Sequence, residues 1–260
     1  MHRILFSMGP VTFYSYGFCV AIGVALAVLF SVRQAGKEGI KQSDALDILT
    51  VMILGGIAGG RLLFVLINRE LYAEDPLRAF NLSEGGMAFQ GALFLSLVSG
   101  AVACFLKKIS FLKFSDVVAP YLALAHSVGR IGCFMNGCCY GKPVVSGISV
   151  MFPGDTVRRI PIQLYSSAGL FSIFLLLLLI GKRKKFDGYL LSMYLMMYAA
   201  LRFILDNFRG DDLVRVNDIT LSQVISACIL AAGAIIYAAG KTALFLKPRA
   251  GAGGDKKCRN

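Results

Sequence analysis

The sequence has no tryptophan, and only 16% of its 260 residues are charged. Without tryptophan, anchoring at a membrane interface falls to tyrosine and phenylalanine. So little charge excludes an ordinary soluble domain. Acid is scarcer still: 15 Asp and Glu stand against 27 Lys and Arg, a net charge of +12. That excess invites a nucleic-acid reading, but the positive residues sit in short loops between apolar runs. This is the pattern of basic loops retained on the cytoplasmic side of a membrane, so no nucleic-acid partner is expected. The first apolar run lacks a cationic start and a small-residue cleavage site, so no signal peptide is expected. No internal repeat is visible.

Hydrophobic residues make up 57% of the chain, and the mean hydropathy is +0.69. Four runs of about twenty residues carry no charge, at 13–32, 87–106, 161–181 and 219–240, and each is long enough to span a bilayer. Three more, at 48–67, 117–134 and 188–205, are interrupted once each, by Arg61, Arg130 and Arg202. The fold expected is therefore an all-α membrane protein with seven transmembrane helices. Residues 1–247 form one integral membrane domain, and residues 248–260 a basic, disordered cytoplasmic tail. Sixteen Lys and Arg fall on the first, third and fifth loops and the tail, and eight on the other connections. Short basic loops stay inside, which puts the N-terminus outside and the C-terminus in the cytoplasm.

Depth follows from that orientation. Arg61, Arg130 and Arg202 each lie about fourteen residues from the cytoplasmic start of their run. That is roughly 21 Å of helix in a core of about 30 Å, so all three reach the outer third. Tyr16, Gln90, Gln163, Tyr165 and Gln223 lie near the outer starts of the runs that travel the other way. The polar groups of all seven helices thus share one layer.

A charge at that depth costs about 2.5–3.5 kcal/mol on insertion scales, so a partner or a function accompanies it. Three arginines with one nearby acid, Asp206 one turn beyond Arg202, make a positive pocket. A guanidinium fork favours a bidentate oxyanion, and phosphate fits it. A phospholipid head group arriving from the side, with its acyl chains between helices, is the simplest such anion. Asn136, Gln163, Tyr165 and Gln223 are candidates to orient its glycerol oxygens, and Gly141 lets a ligand come close. The stretch 126–141 organises this layer, with His126, Arg130, Asn136 and glycines at 129, 132, 137 and 141. His126, nearer the midplane, reads as a structural hydrogen-bonding group rather than a base.

Cys133, Cys138 and Cys139 cluster in the same stretch. Their spacing is not that of a Cys-x2-Cys zinc pair, and adjacent cysteines rarely ligate one metal together, so no metal is expected. A disulfide to Cys138 or Cys139 remains open at an oxidising outer surface. Gly55, Gly59 and Gly60, just before Arg61, form a small-xxx-small pattern for close helix packing.

Five ordered stretches resemble the markers of the prolipoprotein diacylglyceryl transferase family. They are Gly9-Pro-Val with Tyr16-Gly17, Gly85-Gly-Met-Ala-Phe-Gln90-Gly91, Gly129-Arg130 through Tyr140-Gly141, Pro161-Ile-Gln163-Leu-Tyr165, and Arg202 through Arg209. The resemblance implies transfer of the diacylglyceryl group of phosphatidylglycerol to the thiol of a lipobox cysteine in a prolipoprotein, with release of glycerol phosphate. It implies a bacterial cytoplasmic (inner) membrane location, an active site towards the outer leaflet, and prolipoprotein signal peptides and membrane lipids as partners. It also implies that no cofactor is needed. By position, Arg130 would hold the lipid phosphate, Arg202 would stabilise charge on the leaving phosphate, and Tyr16 would orient the lipid or the thiol. Gln90 stands where the family usually has histidine, a candidate general base. Cys133 and Cys138 replace its usual asparagine and acidic residue. These departures leave room for a relative that uses the same lipid site on another acceptor. A transporter or a lipid-binding protein that holds an anion without chemistry is the other alternative. The one-sided layer of polar groups speaks against the transporter.

Overall fold

In a computed structural model, the chain is described over residues 4–8, 11–73, 75–81, 85–144, 148–152, 155–210, 215–216 and 219–246. The expected cytoplasmic tail, and Gly9-Pro10 of the first marker, lie outside the described residues. Seven helices are long and apolar enough to cross a membrane. They are α1 (Ser15–Lys37), α2 (Gln42–Ile67), α3 (Phe89–Leu106), α4 (Phe111–Asn136), α5 (Ile162–Gly181), α6 (Tyr189–Asp206) and α7 (Leu221–Leu246). Each matches one of the seven apolar runs.

The boundaries differ in instructive ways. Phe13 and Tyr14, expected in the first span, instead close an antiparallel hairpin of β1 (Ile4–Met8) and β2 (Val11–Tyr14). Its Phe6 and Phe13 rings stack at 4.5 Å. Helices α2 and α4 start well before their apolar runs, at Gln42 and Phe111. Those early turns are polar on one side and are held by side chains. Lys107, just after α3, reaches Asp44 and Asp47 of α2 at 2.7 and 2.6 Å. The Ser110 hydroxyl accepts from the Lys113 backbone N–H and caps α4.

Small residues let the helices approach, as lipid-embedded helices require when no hydrophobic drive joins them. On α1, Gly23 sits so near α4 that a Cβ there would come within 2.8 Å of the Ala125 carbonyl oxygen. Gly59 of α2 and Gly91 of α3 face each other, a Cβ on either meeting the other's carbonyl oxygen at 2.3 Å. The small-residue pattern before Arg61 thus packs α2 on α3. Helices α4 and α5 are joined by a reciprocal pair, in which Ser127 and Ser167 each donate to the other's carbonyl at 2.9 Å.

Short basic turns join α1 to α2, α3 to α4 and α5 to α6 at one end of the bundle. The opposite end carries the β1–β2 hairpin and the longer connections. These contain two single-turn helices (Arg69–Tyr72 and Pro76–Phe80), the β3 (Val150–Met151) and β4 (Arg158–Arg159) pair, and the β5 (Arg215–Val216) and β6 (Ile219–Thr220) pair.

At the basic-turn end, Asp116 of α4 is 2% exposed and accepts from the backbone N–H groups of Gly188 and Leu191 at 2.8 and 3.0 Å. It thereby caps α6 from another helix, where N–H groups lack partners and the helix dipole favours negative charge. Lys184 lies 3.2 Å from the same carboxylate. Asp116→Ala should lower stability by about 1–3 kcal/mol, because two buried N–H groups lose their acceptor. Thermal unfolding in detergent checks this, with Asp116→Asn expected to fall between the variant and wild type.

Candidate functional site

The three arginines in the spans lie near the C-terminal ends of α2, α4 and α6, on the end that carries the hairpins. Tyr16, Gln90, Gln163 and Gln223 lie in the first turns of α1, α3, α5 and α7, on that same end. The helix directions therefore gather the predicted polar layer, but its members have different jobs.

Arg61 is buried and fully satisfied. Its Nε donates to the Ala79 carbonyl, Nη1 to Gly85 and Gly86, and Nη2 to Arg78 and Asn81, at distances of 2.5–3.1 Å. Five N–H groups meet five carbonyls, and the guanidinium also lies 5.5 Å from the Tyr72 ring. Gly85 and Gly86, at φ of 73° and 82°, adopt the left-handed backbone that turns their carbonyls towards it. Arg61, expected to join a phosphate pocket, instead folds the connection between α2 and α3 around itself. It has no donor left for a phosphate.

Arg130 is the opposite case. It is half-buried on α4, and its buried Nε has no hydrogen-bond partner. Among the described residues it makes no ion pair. Arg202 of α6 donates from Nε to the Ser222 hydroxyl at 3.2 Å and lies 3.3 Å from Asp206 Oδ1. Asp206 is 3% exposed and stands between Arg202 and Arg209, whose Nη1 is 3.7 Å away, yet neither of its oxygens accepts a hydrogen bond. Arg130, Arg202 and His126 are near enough to feel one another's charge. The His126 ring packs on Tyr198 at 5.4 Å. Three guanidiniums, Arg130, Arg202 and Arg209, thus share a region with one carboxylate, Asp206, a charge balance that favours a further anion.

Arg209 was not among the sequence candidates. Its place one turn after Asp206 was the available signal, because residues three apart share a helix face.

Gln163 is 1% exposed and donates from Nε2 to the Cys138 carbonyl at 2.6 Å, while its buried Oε1 has no partner. It holds the turn that follows α4. Gly141 is threaded into the same region, its N–H bonded to the Ile160 carbonyl, and a Cβ there would strike Ile160 at 2.8 Å. It is a packing glycine. Arg159 pairs with Asp155, holding that carboxyl below the usual carboxylate range, and lies over the Tyr140 ring at 4.5 Å.

Gln223 serves the fold. Its Oε1 accepts from the Thr220 N–H and its own N–H donates to the Thr220 hydroxyl, a reciprocal cap at the start of α7. Tyr16 is 45% exposed beside Arg130, and Gln90 is exposed on the first turn of α3. Tyr165 lines an apolar cleft of about 330 Å³ with Val144, Ile160, Ile162, Leu205 and Phe208.

The cysteines come together despite their spacing. Gly137 (φ 73°) ends α4 in the left-handed conformation, so the Cys138 N–H bonds back to the Cys133 carbonyl and the Gly137 N–H to Phe134. In this helix stop the residues at positions 133 and 138 are brought into side-chain contact. Cys139, also left-handed at φ 59°, swings its sulfur onto the same side. The three sulfurs lie within 4.8 Å of one another. Asn136, the last residue of α4, lies beside the Cys138 sulfur, whose thiol reaches back to the Cys133 carbonyl at 3.6 Å. The Asn136-Gly137 pair was the sequence signal for this closure.

The prolipoprotein diacylglyceryl transferase family model matches residues 3–239. This chain belongs to that family. It is 31% identical over 242 residues to phosphatidylglycerol–prolipoprotein diacylglyceryl transferase 2 of Clostridium perfringens, covering 91% of this chain and 94% of the other. The corresponding transferase of Finegoldia magna is 34% identical over 237 residues, with the same coverage. That of Geobacter sulfurreducens is 33% identical over 214 residues, covering 80% of this chain and 82% of the other. Membership of the family agrees with the resemblance carried by the five ordered markers.

The two arginines make opposite predictions. Arg61→Ala orphans five carbonyls and should lower stability by about 2–4 kcal/mol. Arg130→Ala removes no hydrogen bond seen among the described residues and should stay within about 0.5 kcal/mol of wild type. Thermal unfolding of both variants in one detergent decides, and equal losses would contradict the contrast.

Proposed function

We propose that this protein transfers the diacylglyceryl group of phosphatidylglycerol to the thiol of a lipobox cysteine in a prolipoprotein, the first step of lipoprotein maturation. The observation that carries the reading is Arg130, a guanidinium within the apolar span whose buried Nε has no hydrogen-bond partner among the described residues. A lipid phosphate supplies two acceptor oxygens in the geometry of its fork. Family membership and the names of the relatives point the same way.

In this reading the phosphodiester lies between Arg130 and Arg202, with Asp206 aligning Arg202 from below. The acceptor sulfur attacks the glycerol carbon that carries the phosphate ester, a C–S bond forms and the C–O bond breaks. The electron pair of that bond leaves with glycerol phosphate, where the two guanidiniums stabilise the developing charge. Tyr16, exposed next to Arg130, orients the incoming thiol or the lipid. The apolar cleft at Tyr165, Leu205 and Phe208 gives an acyl chain a surface beside Asp206.

The hairpin end then faces the outer leaflet of a bacterial cytoplasmic membrane, with the N-terminus outside and the basic turns in the cytoplasm. Reporter fusions after Lys185 should read cytoplasmic, and fusions after Asp155 external. The reverse at both sites would overturn this orientation.

The direct assay offers phosphatidylglycerol vesicles and a lipobox peptide to the purified protein and follows thioether formation by mass. Arg130→Lys keeps the charge but loses the fork, and should lower kcat by about two orders of magnitude with thermal unfolding unchanged. A well-folded Arg130→Ala protein that transfers at the wild-type rate would remove this residue from the mechanism. Glycerol phosphate released without peptide modification would favour a relative with another acceptor, the alternative that Gln90, Cys133 and Cys138 support.

A further inference from the structure

We propose that Cys133, Cys138 and Cys139 form a three-thiolate zinc site whose fourth position takes the thiol of the acceptor protein. The second half of this inference rests on the transferase reading above.

The geometry is the first argument. Three sulfurs within 4.8 Å of one another need to close by only about 1 Å to span a tetrahedral zinc ion with Zn–S bonds of about 2.3 Å. Rotation of exposed-side thiols covers such a distance. A disulfide would use two of the sulfurs and leave the third without a role. The backbone is committed to the cluster as well. Cys139 holds φ at 59°, a region that a residue with a side chain occupies at an expense of about 1–2 kcal/mol. With the Gly137 turn, that conformation is what places a third sulfur beside the other two.

The surroundings are the second argument. All three cysteines are only half-buried, so one side of the triangle is open. Tyr16 and Arg130 lie within electrostatic reach of the cluster. Three thiolates and Zn²⁺ sum to one negative charge, which Arg130 offsets. Arg130 is thus common to the cluster and to the proposed phosphate site.

The chemistry is the third. Gln90, in the first turn of α3, cannot take up a proton at neutral pH. A thiol that coordinates zinc is deprotonated outright, with no side-chain base. The acceptor R–SH replaces water as the fourth ligand and its proton passes to solvent. The zinc-held sulfur then forms the C–S bond to the glycerol carbon as the C–O bond breaks and glycerol phosphate leaves with the electron pair. The thioether product is a neutral, weaker ligand and gives way to water. No electron is transferred, and Zn²⁺ stays Zn²⁺. The cluster thus deprotonates the acceptor thiol without a side-chain base.

The test uses the full chain, purified in detergent under reducing conditions. After dialysis against metal-free buffer, wild type should retain about one zinc per chain, and Cys138→Ser and Cys139→Ser should lose most of it. Co²⁺ loaded in place of zinc gives a thiolate-to-metal absorption. A cysteine lipobox peptide should raise it by about one third as a fourth thiolate joins three, and the serine version of the peptide should not. Stripping the metal from wild type should lower transfer at least tenfold, and Zn²⁺ should restore it. No bound zinc, with the three cysteines present as free thiols, would overturn the proposal, as would a disulfide among them that resists the reductant. An unresponsive Co²⁺ spectrum, or full transfer by the metal-free protein, would overturn the acceptor role even though the transferase reading stood. A responsive spectrum with no transfer from phosphatidylglycerol under any metal condition would leave the thiol site standing and remove the transferase reading instead. Because chelation and spectra are measured on wild type, a Cys variant that fails to fold does not blunt the test.

Discussion

A guanidinium inside a low-dielectric layer must find acceptors, and this protein meets that constraint in two opposite ways. Arg61 is surrounded by backbone carbonyls, each of its five N–H groups matched, and the loop between α2 and α3 takes its shape from that match. Arg130, at the equivalent end of α4, has a buried Nε with no hydrogen-bond partner among the described residues. The first arginine is part of the fold. The second is the binding group of the proposed phosphate site.

The rest of the architecture keeps Arg130 in that condition. Close packing at Gly23 and Gly132 fixes α1 against α4, so Tyr16 is held beside the arginine. The paired serines at 127 and 167 fix α5, and Gln163 on that helix secures the turn that carries the three cysteines. Asp206 holds Arg202 and Arg209 on its own side, so these cations do not need Arg130's share of negative charge. At the far end, Asp116 and Lys184 lock α6 to α4 and so set the height of Arg202 against Arg130. Each contact is a small polar or steric device of the kind that lipid-embedded helices rely on.

The spans were legible because an apolar run long enough to cross a bilayer needs no tertiary information to be recognised. Their ends were less so. Gln42 and Phe111 begin helices whose first turns look like loop in composition, and they are helical because Lys107 and Ser110 bind them from outside. The shared polar layer was legible from alternating helix direction, but not the division of labour within it. Nothing in the sequence near Arg61 states that five carbonyls of residues 78–86 turn inward, and Gln223 reads as a site residue until its reciprocal bonds to Thr220 are seen. The clustering of Cys133, Cys138 and Cys139 is plain in the sequence, but spacing alone does not bring their three sulfurs together. A left-handed helix stop at Gly137 makes residues five apart neighbours.

The central claim is that Arg130, with its buried Nε unpaired, holds a phosphate. The most direct measurement is a high-resolution structure of the protein in phosphatidylglycerol-containing nanodiscs. The account predicts a lipid phosphate with two oxygens at hydrogen-bond distance from the Arg130 guanidinium, about 2.7–2.9 Å, and Arg202 on its other side. A lipid bound elsewhere, with Arg130 turned to pair with backbone carbonyls as Arg61 does, would contradict it.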